Sequence, residues 1–152
     1  MTRSRAILAA MLGSAALLLA AWGFQYLGGL APCKLCIWQR WPHGAAVAIG
    51  VVALVVPGTL LPLLGALAAL TTAGLGLYPT RVERGFWEGP STCSSAAPGS
   101  LSADDLFDQI MSAPLVRCDE VAWQMLGLSM ASWNALAALA LAALWVMAAR
   151  RS

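Results

Sequence analysis

The chain has 152 residues, enough for one domain, with 60% hydrophobic and only 11% charged residues and a formal net charge of +2. An ordinary soluble domain carries about 25% charged residues, so this chain has too little polar surface to coat a globule in water and is read as a membrane protein. The small, dispersed positive charge excludes a nucleic-acid partner, and four cysteines leave three possible pairings.

Residues 1–5 are short and basic, and an apolar run follows from Ala6 to about Gly23. A cleavable secretion signal opens in the same way, but its apolar core is usually shorter, about 7–15 residues. An uncleaved first span over 6–26 is therefore expected, long enough at 1.5 Å per residue to cross ~30 Å of hydrocarbon. Trp22 and Tyr26 fall where an interfacial aromatic belt would lie.

A loop over 27–40 is expected next, and it carries Pro32-Cys33-Lys34-Leu35-Cys36-Ile37-Trp38-Gln39-Arg40. Two thiols in a C-x-x-C pair can close a small disulfide ring and often have perturbed acidity. Pro32 suits the first position of a helix, where its missing N–H costs nothing. A helix starting there places both sulfurs near its positive end and Arg40 one turn beyond Cys36, which favours a thiolate at Cys36. The plainer readings are a zinc half-site or two inert buried cysteines, with Arg40 a snorkelling interfacial side chain.

A second span is expected over 41–56 and a third over 61–78, joined by a tight turn at Pro57-Gly58-Thr59 with Pro62 just inside the next helix. Gly65, Ala69 and Ala73 share a helix face, which suits close helix packing in lipid but also fits plain alanine richness. All seven acidic residues then fall within a long extramembrane loop over 79–131, together with Cys93 and Cys118. Inside it, Ser102 and Asp105 read as a helix start, and Leu106, Phe107, Ile110 and Met111 form one apolar face. This predicts a short amphipathic helix on the membrane surface. A fourth span over 132–149 ends at Arg150-Arg151. The fold class is all-α: an integral membrane four-helix bundle with one long extramembrane loop.

An even number of spans puts Arg3, Arg5, Arg150 and Arg151 on one side and Lys34, Arg40, Arg81, Arg84 and Arg117 on the other. The basic count is nearly balanced, so the positive-inside rule decides little here. All four cysteines share one face, and paired cysteines belong to an oxidising compartment. Cytoplasmic termini and periplasmic cysteine loops are expected. Four thiols on one face allow zinc binding, two structural disulfides that staple the loops, or a redox relay. In a relay, a loop disulfide takes electrons from a partner and hands them to the C-x-x-C pair, which discharges to something lipid-soluble.

Several stretches resemble the bacterial disulfide bond formation protein B (DsbB) family. They are P-C-K-L-C-I-W-Q-R over 32–40, Gly85-Phe86-Trp87-Glu88-Gly89-Pro90-Ser91-Thr92-Cys93, and Cys118-Asp119-Glu120 with Trp123, leading to Leu126-Gly127-Leu128-Ser129-Met130 and Trp133-Asn134. The resemblance implies a quinone-dependent protein-dithiol oxidoreductase of the inner membrane. It would reoxidise a periplasmic thioredoxin-fold thiol oxidase (DsbA-like), with ubiquinone or menaquinone as acceptor. It further implies that Cys93 is the sulfur attacked by the partner and Cys118 the leaving thiol that later exchanges with Cys33. Cys36 would then be freed as a thiolate facing the quinone, and Arg40 would hold the quinone oxygen.

One departure stands out. Family members commonly carry a histidine just after the third span, where this chain reads Tyr78-Pro79-Thr80-Arg81. Its single histidine, His43, is read as interfacial, and Arg81 is a weak candidate for the second quinone contact. A vitamin K epoxide reductase-like protein is the alternative enzyme, although there the C-x-x-C comes late and the loop pair first, the reverse of the order here. A non-catalytic scaffold with disulfide-stapled loops is the alternative outside enzymes.

Overall fold

The computed structural model describes residues 2–87 and 123–151. Four helices make up nearly all of it: α1 (Arg3–Tyr26), α2 (Lys34–Val55), α3 (Leu60–Glu83) and α4 (Met130–Ala149). A two-residue-per-strand hairpin, β1 (Gln124–Met125) and β2 (Leu128–Ser129), leads into α4. Cys93, Cys118 and the amphipathic helix expected around 102–111 lie outside the described residues.

The helices pack as one bundle in which α3 lies against both α2 and α4, and α1 against both α2 and α4. α1, α3 and α4 are long and apolar enough to cross a membrane. α2 is of similar length, but Lys34, Gln39, Arg40 and His43 occupy its first half. The molecule is a membrane helical bundle, and its most polar helix is the one that carries the C-x-x-C pair.

Size is sorted in a way that only lipid explains. The buried core is dominated by small residues, with Ala6, Ala10, Ala53, Ala66, Ala69 and Ala142 around Ile7, Leu141 and the fully buried Trp145. Large residues such as Leu12, Leu19, Val55, Leu63 and Leu67 face outward. Lipid tails solvate leucine as well as another helix does, so association relies on close backbone approach between small residues. The face of Gly65, Ala69 and Ala73 is buried throughout. At Gly65 an added Cβ would lie 2.5 Å from the Trp145 indole, so the missing side chain is the space the ring fills.

Helix ends differ from the sequence expectation at two places, for local reasons. The loop expected over 27–40 is shorter, because α2 already begins at Lys34. Cys33 is its N-cap, its sulfur accepting the Cys36 N–H at 3.1 Å where an oxygen usually sits. Pro32 therefore precedes the cap instead of occupying the first helical position. The apolar run marked where the chain turns greasy, and the helix starts two turns earlier. α3 likewise continues past 78 to Glu83, through Pro79. The Thr80 hydroxyl donates to the Gly76 carbonyl at 2.9 Å beside that proline, and such side-chain bonds let membrane helices tolerate it.

At the opposite end, Arg3 donates to the carbonyls of Val56 (3.0 Å) and Gly58 (3.2 Å), tying the start of α1 to the α2–α3 turn. The hairpin turn at Leu126-Gly127 has positive φ at both residues, 54° and 75°. That is the two-residue turn whose twist matches paired strands. The Trp133 indole N–H donates to the Met125 carbonyl at 3.2 Å and holds the hairpin down on α4.

Gly65→Ala should force the Trp145 ring to move and cost about 1–3 kcal/mol, read as a lower midpoint of thermal unfolding in detergent. Gly74→Ala, where the added carbon meets nothing within 4 Å, should leave that midpoint unchanged or raise it.

Candidate functional site

Cys33, Cys36, Arg40 and His43 follow one another along α2 at steps of three, four and three residues, which puts them on one helix face. That face forms a wall of a cavity of about 380 Å³. α1 supplies Leu17, Ala21 and Phe24, and α4 supplies Met130, Asn134 and Ala137. Trp123 and Met125 of the hairpin region close one side, and Glu83 at the end of α3 reaches it as well. The volume lies within the usual range for small-molecule sites, about 300–1,000 Å³. The walls are mostly apolar, with a few polar groups converging from α2, α3 and α4.

At the mouth of this wall Cys33 and Cys36 are joined as a disulfide, with Cα atoms 5.1 Å apart, well within the range such bonds accept. Both sulfurs lie at the N-terminus of α2, where the helix dipole is positive. Opening the disulfide releases Cys36 into a field that favours its thiolate. Arg40, half-buried one turn further in, donates to the Gln25 side-chain oxygen of α1 at 2.7 Å. That bond holds the guanidinium inside the bundle wall, so Arg40 is more than a snorkelling side chain.

Deeper still lies a buried polar chain. The Gln39 amide donates to the Leu35 carbonyl at 3.4 Å, and Asn134 donates to the Gln39 side-chain oxygen at 2.7 Å. His43 Nε2 bonds the Asn134 oxygen at 3.0 Å. Thr72 of α3 donates to the Gln39 backbone carbonyl at 2.9 Å and lies 3.5 Å from the Asn134 amide. Pro42 sits inside α2 just beyond this carbonyl. Proline removes the helix bond to the Trp38 carbonyl, and Thr72 ties the next carbonyl, that of Gln39, to α3. The result is a polar junction of α2, α3 and α4.

The structure thus brings together Cys33, Cys36 and Arg40, as the sequence suggests; Cys93 and Cys118 lie outside the described residues. Two expectations need correction. His43 is not interfacial: it is only 3% exposed and lines the cavity. Its burial follows from lying seven residues after Cys36 on the inward face. Arg81 does not line the cavity; it is exposed and stacks over Phe86 and Trp87, each ring centroid 5.7 Å away. Gln39 and Asn134 lie within the stretches that carry the family resemblance, but the sequence assigned no role to them or to Gln25. Their signal was present as polar side chains near helix ends in a chain poor in them, but partners on different helices have no sequence spacing to reveal them.

Chemically, the arrangement offers a dithiol/disulfide pair beside an apolar slot, a fixed cation one turn away, and buried hydrogen-bonding side chains beyond it. A planar apolar ring whose oxygens gain negative charge suits those walls. Among the described residues no cluster of metal-ligating side chains is present.

The family described as Disulfide bond formation protein DsbB matches the chain over residues 3–148. The chain is 37% identical over 131 residues to the Disulfide bond formation protein B of Pasteurella multocida (strain Pm70), covering 81% of this chain and 73% of that one. It is 36% identical over 141 residues to the protein of that name in Shewanella sp. (strain MR-4), covering 88% and 80%. Its identity to the one in Azoarcus sp. (strain BH72) is 32% over 149 residues, covering 90% and 87%. No solved structure matches the chain.

Asn134→Leu should lower the unfolding midpoint, since it strands Gln39 and His43 at about 1–3 kcal/mol per buried unpaired group. Ser14→Ala should be neutral or stabilising, because the Ser14 hydroxyl is already buried without a hydrogen-bond partner among the described residues.

Proposed function

The chain belongs to the DsbB family of membrane disulfide oxidoreductases, and on that footing we propose that it carries electrons from a periplasmic thioredoxin-fold dithiol protein to a membrane quinone. It is a membrane thiol oxidase that sustains protein disulfide formation. Membership in this family sets aside both the vitamin K epoxide reductase-like reading and the stapled scaffold. The observation that carries the electron route is the Cys33–Cys36 disulfide opening onto an apolar cavity with Arg40 on the same helix face.

The route conserves one disulfide at each exchange. Cys93 takes the attack of the partner's thiolate, with Cys118 as leaving thiol. The partner's second thiol then resolves the mixed disulfide and leaves oxidised. Cys118 attacks Cys33 and displaces Cys36 as a thiolate at the positive end of α2. Cys93 closes again on Cys118, which frees Cys33. The C-x-x-C pair now holds the partner's two electrons. A bound quinone, ubiquinone or menaquinone, supplies the sink for two electrons and two protons.

Arg40 stabilises the Cys36 thiolate and binds the quinone oxygen, on which negative charge grows during reduction. Gln25 keeps the guanidinium aimed into the cavity. The apolar walls of α1 and α4 take the ring and exclude water, which strengthens both charge interactions. The termini lie in the cytoplasm and the cysteine loops in the periplasm, where the soluble dithiol partner is found.

Purified protein in detergent, supplied with reduced partner and a short-chain quinone, tests this. Arg40→Ala should raise the apparent KM for quinone about ten- to a hundredfold, the worth of a charged hydrogen bond, with partner oxidation at Cys93 retained. Unchanged quinone kinetics would remove Arg40 from the site. Cys36→Ser should abolish quinone reduction while a mixed disulfide with the partner still forms. Cys93→Ser should block that mixed disulfide, and turnover in either cysteine variant would break the route at that residue.

A further inference from the structure

We propose that His43 is the proton-transfer residue of the quinone step, set in one tautomer by the chain Leu35–Gln39–Asn134–His43. The inference rests on the quinone-reducing reading above and adds a group that reading does not use. An ionisable side chain inside a membrane bundle is costly, and its position usually reflects a task. Here it lines the same cavity as Cys36 and Arg40 while being only 3% exposed.

The direction of the hydrogen bonds follows from one fixed end. The Leu35 carbonyl can only accept, so the Gln39 amide nitrogen donates to it. The Gln39 oxygen must then accept from the Asn134 nitrogen. The Asn134 oxygen is left to accept from His43, which requires the proton on Nε2. Nδ1 is therefore the bare nitrogen, and it is buried with no hydrogen-bond partner among the described residues. A buried polar atom of this kind usually has a partner. The structure provides a base whose other face is locked, beside a cavity suited to a ligand.

Cys36 and His43 are seven residues apart on one helix, about 10 Å at 1.5 Å per residue. That is too far for His43 to take the thiol proton directly, so it serves an oxygen remote from the sulfur. The balance is simple. Cys33 and Cys36 lose two electrons and two protons as their disulfide re-forms, and the quinone gains two of each to become a quinol. The thiol protons pass to water at the mouth of the cavity. His43 takes up a proton from water at Nδ1, delivers it to the oxygen that has gained negative charge, and returns to its starting tautomer, while water supplies the second proton. Among the described residues the ionisable groups that share its cavity are Cys33 at the cap of α2, Cys36 and Arg40 on α2, and Glu83 on α3; α1 and α4 contribute none to its walls.

The chain has a single histidine, so ¹⁵N-histidine labelling reports on this ring alone. In protein free of quinone at neutral pH, the spectrum should show Nε2–H and an unprotonated Nδ1. Saturating short-chain quinol, added without oxygen, should shift Nδ1 and leave Nε2 nearly unchanged. The Nδ1–H tautomer, or an Nδ1 signal indifferent to quinol, overturns the proposal. Kinetically, His43→Gln keeps a donor for Asn134 but cannot carry a proton. It should lower quinone turnover at saturating quinone about tenfold or more, with little change in apparent KM, and remove one limb of the pH profile. Cys33, Cys36, Arg40 and Glu83 are the same in both proteins, so a limb lost only in His43→Gln belongs to His43. Wild-type turnover and pH profile in His43→Gln would overturn this proposal alone. A wild-type protein that reduces no quinone would instead overturn the reading on which it rests.

Discussion

A polar side chain buried in a bilayer must find its partner within the protein, because lipid offers none. In this chain that constraint falls on the first half of α2. Gln39, Arg40 and His43 enter the bundle, and each is met by a residue of another helix or of its own turn: Asn134 of α4, Gln25 of α1, the Leu35 carbonyl. Thr72 of α3 meets the backbone that Pro42 loosens. These bonds fix how α2 is rotated. Its rotation decides that Cys33, Cys36 and Arg40 face a cavity and not lipid.

The apolar part of the bundle supports the same arrangement by a different means. Alanine and glycine line the helix contacts, and Trp145 fills the space that Gly65 leaves. Close packing of small residues holds together the half of the bundle nearest the α2–α3 turn. The other half can then remain open enough to hold a cavity between α1, α2 and α4. Structure and function divide along the membrane normal: tight packing at one end, a polar-lined slot at the other. The C-x-x-C disulfide lies at the mouth of that slot, where the α1–α2 loop meets α2.

Much of this was legible in the sequence. Low charge and four apolar runs give the membrane bundle, and the C-x-x-C with Arg40 one turn on gives the core of the site. The family resemblance supplies the direction of electron flow. What the sequence hid has physical causes. The start of α2 at Lys34 follows from a cysteine cap, and the end of α3 at Glu83 from the positive φ of Gly85 with the Phe86 N–H closing on the Arg81 carbonyl, not from where hydrophobicity changes. His43 looked interfacial because it follows Trp41 and Pro42 near a span end, yet helix periodicity places it on the same face as Cys36. The Asn134 link to His43 crosses ninety-one residues of sequence, and no local pattern encodes such a contact.

The most direct test of the central claim is a stoichiometry. Wild-type protein in detergent, under anaerobic conditions, is given a limiting amount of reduced periplasmic thioredoxin-fold dithiol protein and excess short-chain quinone. Quinone loss is followed by absorbance, and partner disulfide by thiol labelling. The account predicts one quinone reduced per partner disulfide formed, both dependent on the membrane protein. Partner oxidation without matching quinone loss, or no oxidation with either ubiquinone or menaquinone, would contradict a relay from thiols to quinone through Cys33 and Cys36.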